Sequence, residues 1–261
     1  MKKVNYHTHT RLCRHAGGAA EDYAAAAWQN SLDVLGFSDH TPFPDGRFGL
    51  RMQYDELEPY IRDLNRLKTE YQGRVSICSG LEIEYCPDSL EYYESLLKPG
   101  RLDYLLLGQH FYTAAGALPV NIYELEEKGG TAAYIDYALS IREGLATGFF
   151  KVLAHPDVIF INDLAWDENC SRACEIIVEA AQVSGAVLEL NANGIRRGMR
   201  EYCDGVRYPY PHKRFWERVS GTRIPVIVSS DCHNPDVLWD SCMEEGYRLG
   251  KEWGLLLTDE I

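Results

Sequence analysis

Seven times along this chain a short apolar, β-branched run gives way to a longer amphipathic one, and that alternation restricts the fold more than any other feature. The strand candidates are Lys3–His7, Asp33–Ser38, Val75–Glu82, Leu102–Gly108, Lys151–Ala154, Ala186–Leu190 and Pro225–Ser229. Helical patterns fill the intervals at Ala19–Asn30, Tyr54–Tyr71, Ser89–Lys98, Thr131–Thr147, Ser171–Val183, Lys213–Val219 and Asp236–Glu252. Tyr54, Leu57, Ile61, Leu64 and Leu67 keep the clearest helical period, with Arg62, Lys68 and Glu70 on the wet side. The strands are almost continuously apolar, as expected where both faces of a parallel sheet are covered. The pattern predicts an α/β fold, a closed or nearly closed βα barrel, in one domain over residues 1–261. An open doubly wound sheet is the alternative, but no Gly-rich phosphate-binding fingerprint follows the first strand. Pro42–Leu50 and Tyr112–Gly130 read as long loops on the face that carries barrel active sites.

Charge narrows the partners. Acidic residues number 39 against 26 basic ones, a net charge of -13, so the surface repels polyanions and neither nucleic acid nor an anionic membrane is expected. A small phosphorylated substrate is still compatible, because bound cations reverse the field locally. No apolar run approaches the roughly 18 residues of a membrane span. The opening Met1-Lys2-Lys3-Val4-Asn5-Tyr6-His7 has no apolar stretch, so a cytoplasmic protein is expected. The 8 cysteines contain no CxxC pair and read as reduced thiols. Oligomeric state is left open.

Histidine placement carries the chemistry. His7 and His9 end the first strand, His15 follows shortly, His40 follows the second, His110 the fourth, His155 the fifth and His233 the seventh. Glu82 ends the third strand, and Asp231 precedes His233 by two residues. Of the 8 histidines only His212 stands apart. Residues i and i+2 of an extended segment point the same way, so His7 with His9, and Asp231 with His233, can face one barrel mouth. Imidazole mixed with carboxylate suits Zn, Mn or Fe, and this many ligands suits two or three ions. Glu82 is the better bridging carboxylate.

The ordered set His7-x-His9, His15, Ser38-Asp39-His40, Gly80-Leu81-Glu82, His110, His155-Pro156-Asp157 and Asp231-x-His233 resembles the polymerase-and-histidinol-phosphatase (PHP) domain. The opening His-Thr-His-Thr, Cys13-x-His15, and Asn191-x-Asn193-Gly194-x-Arg196 ahead of Tyr208-Pro209 are most similar to its stand-alone histidinol-phosphate phosphatases. The resemblance implies a distorted (β/α)7 TIM-like barrel and three metal ions. His7, His9, Glu82 and Asp231 would surround the first, Glu82, His110 and His155 the second, and His15, His40 and His233 the third. It implies hydrolysis of L-histidinol phosphate, in histidine biosynthesis, by a hydroxide held between metals, with Glu82, Asp231 and His233 central to catalysis. The alternative is another phosphoesterase of the family, acting on a nucleotide or other small phosphate ester.

For the substrate, Arg196 is the expected phosphate ligand, since a guanidinium grips two oxygens at once; adjacent Arg197 can exchange roles with it. Family members often carry a basic residue soon after the fifth-strand histidine, but Asp157–Ile161 contains none. Glu84, Asp45, Glu189 and Asn191 are the groups expected to receive the substrate's ammonium and imidazole. Asp39 and Asp157 flank metal histidines and would either orient them or serve the fold behind the mouth. Cys232, between Asp231 and His233, should point away from both.

Overall fold

The computed structural model describes residues 1–113, 119–125 and 130–261. Its main sheet has eight parallel strands in chain order: β1 (Val4–Asn5), β2 (Val34–Phe37), β3 (Ser76–Ile83), β4 (Tyr104–Leu107), β5 (Val152–Leu153), β6 (Val187–Asn191), β7 (Pro225–Ser229) and β8 (Leu256–Leu257). The order never reverses, which removes the doubly wound alternative with its switch point. Instead the sheet curls as a half-barrel until its first strand meets its seventh. Thr8, just past β1, forms a parallel bridge with Cys232, just past β7, and the Ser230 amide donates to Asn5 Oδ1 at 2.8 Å.

Seven of the strands were legible as apolar runs; β8 was not. It pairs only with the start of β7, Pro225 with Leu256 and Val226 with Leu257. The chain then caps the lower seam, where the Tyr6 hydroxyl donates to the Asp259 carbonyl at 3.1 Å.

Period-two alternation divides the core. Tyr104 and Leu106 point into the barrel with Val4, Tyr6, Val152, Val187 and Ile227, while Leu105 and Leu107 face the helices. Burying each large apolar side chain contributes about 1.5–3 kcal/mol. Gly36 and Gly80 leave room for Tyr104: a Cβ at either position would lie 2.3 Å from its Oη or 2.5 Å from its Cζ. The Tyr104 hydroxyl reaches the carbonyls of Tyr6 at 2.7 Å and Phe37 at 3.0 Å, tying three strands together inside the barrel.

The helical layer contains α1 (Ala20–Gln29), α2 (Leu57–Glu70), α3 (Leu90–Leu96), α4 (Ala132–Ala146), α5 (Glu168–Ser184), α6 (Ala192–Arg196), α7 (Lys213–Val219) and α8 (Ser241–Glu252). The stripe of α2 is buried at Leu57, Ile61, Leu64 and Leu67, but Tyr54 sits in a preceding 3-10 turn and is half exposed. Helix α6 was not anticipated; Asn191 caps it, its side chain accepting from the Asn193 amide. Two short hairpins, Phe111–Tyr112 with Val120–Asn121 and Arg200–Tyr202 with Gly205–Arg207, were also missed. Of the expected Tyr112–Gly130 loop, residues 114–118 and 126–129 lie outside the described residues. Among the described residues no helix is long and apolar enough to cross a membrane.

Candidate metal centre

Sheet register assembles the site. His40 forms an isolated parallel bridge with Glu82, and the Thr41 amide donates to the Glu82 carbonyl at 2.9 Å, so the ends of β2 and β3 are level. The His9 amide donates to the Cys232 carbonyl at 3.0 Å, which sets the first strand's histidines beside Asp231 and His233. His155 and Asp231 turn the chain sharply with φ of 27° and 46°, in the left-handed region that non-glycine residues avoid. Such backbone costs about 1–3 kcal/mol per residue and persists only where the surroundings enforce it.

Glu82 lies at the centre, 1% exposed, with five imidazoles around its carboxylate. Its Oε1 is 2.9 Å from His155 Nε2 and 3.5 Å from His110 Nε2. On the other side Oε2 is 3.3 Å from both His7 Nε2 and His9 Nε2, and 3.0 Å from His40 Nδ1. Asp231 Oδ1 closes the ring, 3.3 Å from His9 Nε2 and 3.6 Å from His7 Nε2. His15, His40 and His233 form an adjoining outer group. Cys13 stands beside His9 and His233, and Cys232 points off toward Thr8, its Sγ 3.9 Å from Oγ1.

Proton accounting tests whether cations fit. His15 Nδ1 lies 2.8 Å from the Cys13 carbonyl and His233 Nδ1 3.2 Å from the Asp231 carbonyl. A carbonyl only accepts, so both Nδ1 atoms carry hydrogen and both Nε2 atoms present lone pairs. Those two Nε2 atoms face each other at 2.9 Å. Inside, Glu189 Oε1 accepts from His7 Nδ1 at 2.8 Å, which turns His7 Nε2 toward His9 Nε2 at 3.0 Å. Opposed lone pairs repel unless a proton or cation lies between them. Glu82 Oε2 also lacks a hydrogen bond though buried. The donor set is that of a metal-binding cluster.

A cavity of about 600 Å³ opens above this cluster, lined by Arg51, Phe111, Tyr123, Asn193, Arg197 and Tyr210 as well as His15, His40, Glu82, His110, His155, Asp231 and His233.

A model of the PHP domain matches residues 5–193. The chain belongs to the PHP domain family. A protein of Deinococcus radiodurans named "Probable histidinol-phosphatase" is 29% identical over 233 residues, covering 88% of this chain and 85% of that one. The "Histidinol-phosphatase" of Bacillus subtilis is 24% identical over 259 residues, covering 89% and 94%. Among solved structures, a histidinol phosphate phosphatase from Lactococcus lactis, complexed with zinc, L-histidinol and phosphate, superposes with a TM-score of 0.74 at 16% identity, over 98% of this chain and 95% of that one. The matched PHP segment ends before Asp231 and His233, yet the curl of the sheet returns both to the first strand's histidines.

Several residues expected at the substrate of this PHP domain lie behind it. Glu189 and Asn191 do share a strand face toward the mouth, but beneath the ligands and buried. Glu189 holds His7 and, through Oε2, accepts from the His155 amide at 2.9 Å. Asn191 Nδ2 donates to Glu189 Oε2 at 2.8 Å and Asp231 Oδ2 at 3.1 Å, and Asn193 adds a second donor to Asp231. Glu84 is held by Arg51 in a two-point ion pair and sits 3.3 Å from His110 Nδ1. Asp45 is exposed and paired with Arg47 away from the cavity lining. All four depart from the expected amine-binding role, because a neighbouring histidine, carboxylate or arginine already engages them.

Arg196 is likewise a correction. Its Nε donates to Asp240 Oδ2 at 2.8 Å, and its terminal nitrogens reach the Ser230 carbonyl and hydroxyl at 3.1 Å. Neighbours on a helix diverge by about 100°, so Arg196 at the end of α6 turns to the N-cap of α8 while Arg197 turns to the cavity. Asp39 and Asp157 serve the fold: Asp39 accepts from the Thr10 amide at 2.8 Å, and Asp157 from the His212 amide and the Trp216 indole. Arg51, Tyr123 and Tyr210 went unrecognised in the sequence, where lone loop arginines and tyrosines carry no periodic signal.

Charge in the cluster is finely opposed. Burial raises the Glu82 carboxyl, but His7, His110 and His40 bring it well below the usual range; Asp231 follows for like reasons. Burial lowers His7, yet Glu189, Asp231 and Glu82 carry it well above an ordinary imidazole. His233 is pushed down to about 3 by burial and then by His9. Glu82 and Asp231 are thus held ionised, and the imidazoles divide, His7 taking a proton readily and His233 resisting one.

Proposed function

We propose that this chain is a metal-dependent phosphomonoester hydrolase that converts L-histidinol phosphate to L-histidinol and phosphate, a step of histidine biosynthesis. The observation that carries this reading is the ring of five imidazoles around the Glu82 carboxylate at the floor of the cavity. His7, His9, Glu82 and Asp231 would hold one cation, Glu82, His110 and His155 a second, and His15, His40 and His233 a third, with zinc, manganese or iron the fitting elements. When bound, such cations lower the pKa of coordinated water and neutralise phosphate charge.

The chain's own residues supply the rest. Glu189 fixes the His7 tautomer, and Asn191 and Asn193 hold one oxygen of Asp231 so that the other faces the cluster. Arg197, beside the ring of Tyr210, is the protein-side phosphate ligand. Phe111, Tyr123 and Tyr210 offer walls for the substrate's imidazole. In the reaction a water oxygen bonds to phosphorus in line, the ester bond to the alcohol oxygen breaks, and the alcohol leaves with a proton. We further read residues 1–261 as one domain around one sheet, acting on a small substrate in the cytoplasm, where its eight unpaired cysteines are at home.

The test is phosphate release by metal-reconstituted protein from L-histidinol phosphate, AMP and a phosphodiester. Preference for histidinol phosphate by at least tenfold in kcat/KM is expected. A preference for AMP or the diester overturns the substrate assignment and favours the nucleotide or other phosphoester reading; no release from any of the three overturns the hydrolase.

A further inference from the structure

We infer that Arg51 and Glu84 together form a positioning pair that sets the tautomer of His110 and ties the cavity wall to the metal cluster. The inference rests on the metal-centre reading above and extends it to residues outside the nine ligands. Arg51 belongs to the loop after β2, lines the cavity, and is 6% exposed. Its two terminal nitrogens meet the two Glu84 oxygens at 3.1 and 2.7 Å. Glu84 itself is fully buried, and its Oε1 lies 3.3 Å from His110 Nδ1, while His110 Nε2 lies 3.5 Å from Glu82 Oε1.

The chemistry of this chain is directional. Glu84 and Glu82 both only accept, so His110 Nδ1 donates to Glu84, and Nε2 would offer its lone pair to a cation standing between it and Glu82. A carboxylate behind a ligand histidine also makes the imidazole a better donor to a cation. Arg51 fixes Glu84 in that place by both oxygens. The loop is anchored at its other side by Phe48, whose ring stacks on Phe111 at 4.6 Å, so the wall over the cavity and the orientation of His110 depend on the same contacts.

The primary test is histidine-labelled 15N–1H spectroscopy of the metal-free wild type, followed by zinc titration of wild type, Glu84→Gln, Arg51→Met and Arg51→Lys. His110 should show a protonated Nδ1 hydrogen-bonded to Glu84, and the first two variants should lose roughly tenfold or more in the affinity of one zinc step. Arg51→Lys should recover part of that loss. An unprotonated Nδ1 on wild-type His110 overturns the inference without any variant having to fold, as do zinc affinities within twofold of wild type in both Glu84→Gln and Arg51→Met. Failure of the wild type to bind zinc would instead strike the metal-centre reading, while the tautomer spectrum would still decide this one.

Discussion

Gly108→Ala perturbs the cluster by a single methyl group at a known distance. Gly108 has no positive φ, so alanine fits its backbone, and the whole effect is steric. A Cβ there would lie 2.1 Å from Glu82 Oε1, 2.4 Å from its Cγ and 2.5 Å from its Cδ. Ordinary contact begins at about 3.4 Å, so the carboxylate must retreat by more than an ångström. It has nowhere neutral to go, being 1% exposed and ringed by His7, His9, His40, His110 and His155. Overpacking of this kind costs about 1–3 kcal/mol of stability. A misplacement near an ångström in a catalytic constellation costs on the order of 100-fold in rate. Phosphate release, bound metal by atomic emission, and thermal melting should therefore show a folded protein with reduced metal and turnover down about 100-fold. Gly36→Ala is the contrast: its Cβ strikes Tyr104 Oη at 2.3 Å and Tyr6 Cα at 2.9 Å inside the barrel, so it should lower the melting temperature with metal per folded molecule unchanged. Full metal content and turnover within twofold of wild type in Gly108→Ala would refute the reasoning.

The adjacent arginines should separate: Arg197→Ala raises KM by tenfold or more at unchanged melting temperature, whereas Arg196→Ala, one-fifth exposed and tied to Asp240, costs about 1–3 kcal/mol with KM unchanged. Matching KM increases in the two variants would contradict this division. Glu82→Gln should keep the fold but shed bound metal and nearly all turnover, and a variant retaining both would remove Glu82 from the centre. His212, pushed down to about 4 by burial and then by Arg207, stays neutral in the folded state: its Nδ1 accepts from the Arg214 amide at 3.3 Å, which a protonated ring cannot do. An unfolded histidine titrates near 6.5. The unfolded chain thus binds more protons as pH falls from about 6.5 to about 4, so this contribution is complete above that window and declines through it, by on the order of 3 kcal/mol. Denaturant midpoints of metal-free protein at pH 7 and pH 4.5 should shift less in His212→Asn, and an identical shift would dismiss the assignment.

The strand ends were legible because the strand period and the curl of a parallel sheet are local consequences of sequence. Apolar runs located β1 to β7, and the ends of all but the sixth named ligands that the sheet register brings level, as the His40–Glu82 bridge does. β8 escaped because two residues make no pattern, and it exists only by pairing with the start of β7. The supporting polar residues failed for another reason. Glu189 and Asn191 lie on β6 and Glu84 just past β3, but whether a carboxylate faces substrate or the back of an imidazole is decided by depth and by partners over 20 residues away, such as His110 for Glu84. Arg196 and Arg197 differ only by one step of a five-residue helix whose existence the sequence did not reveal.

Electrostatics then links the supporting residues to the order of events. Glu82, Glu84, Glu189 and Asp231 are all buried around the floor of the cavity. Arg51, the buried arginine nearest them, already balances Glu84, and Arg196 balances Asp240. Among the described residues, an incoming phosphate meets Arg197 at the rim and a floor on which burial drives His233 and His40 down, whereas His7 and His9, buried too, are carried well above an ordinary imidazole by their carboxylate neighbours. Protons on His7 and His9 offset part of the carboxylate charge, and cations in the histidine groups would replace those protons with greater positive charge. In a chain of net charge -13, cations held at the histidine groups would therefore help to make the anion site, and the rim arginine would orient the phosphate there.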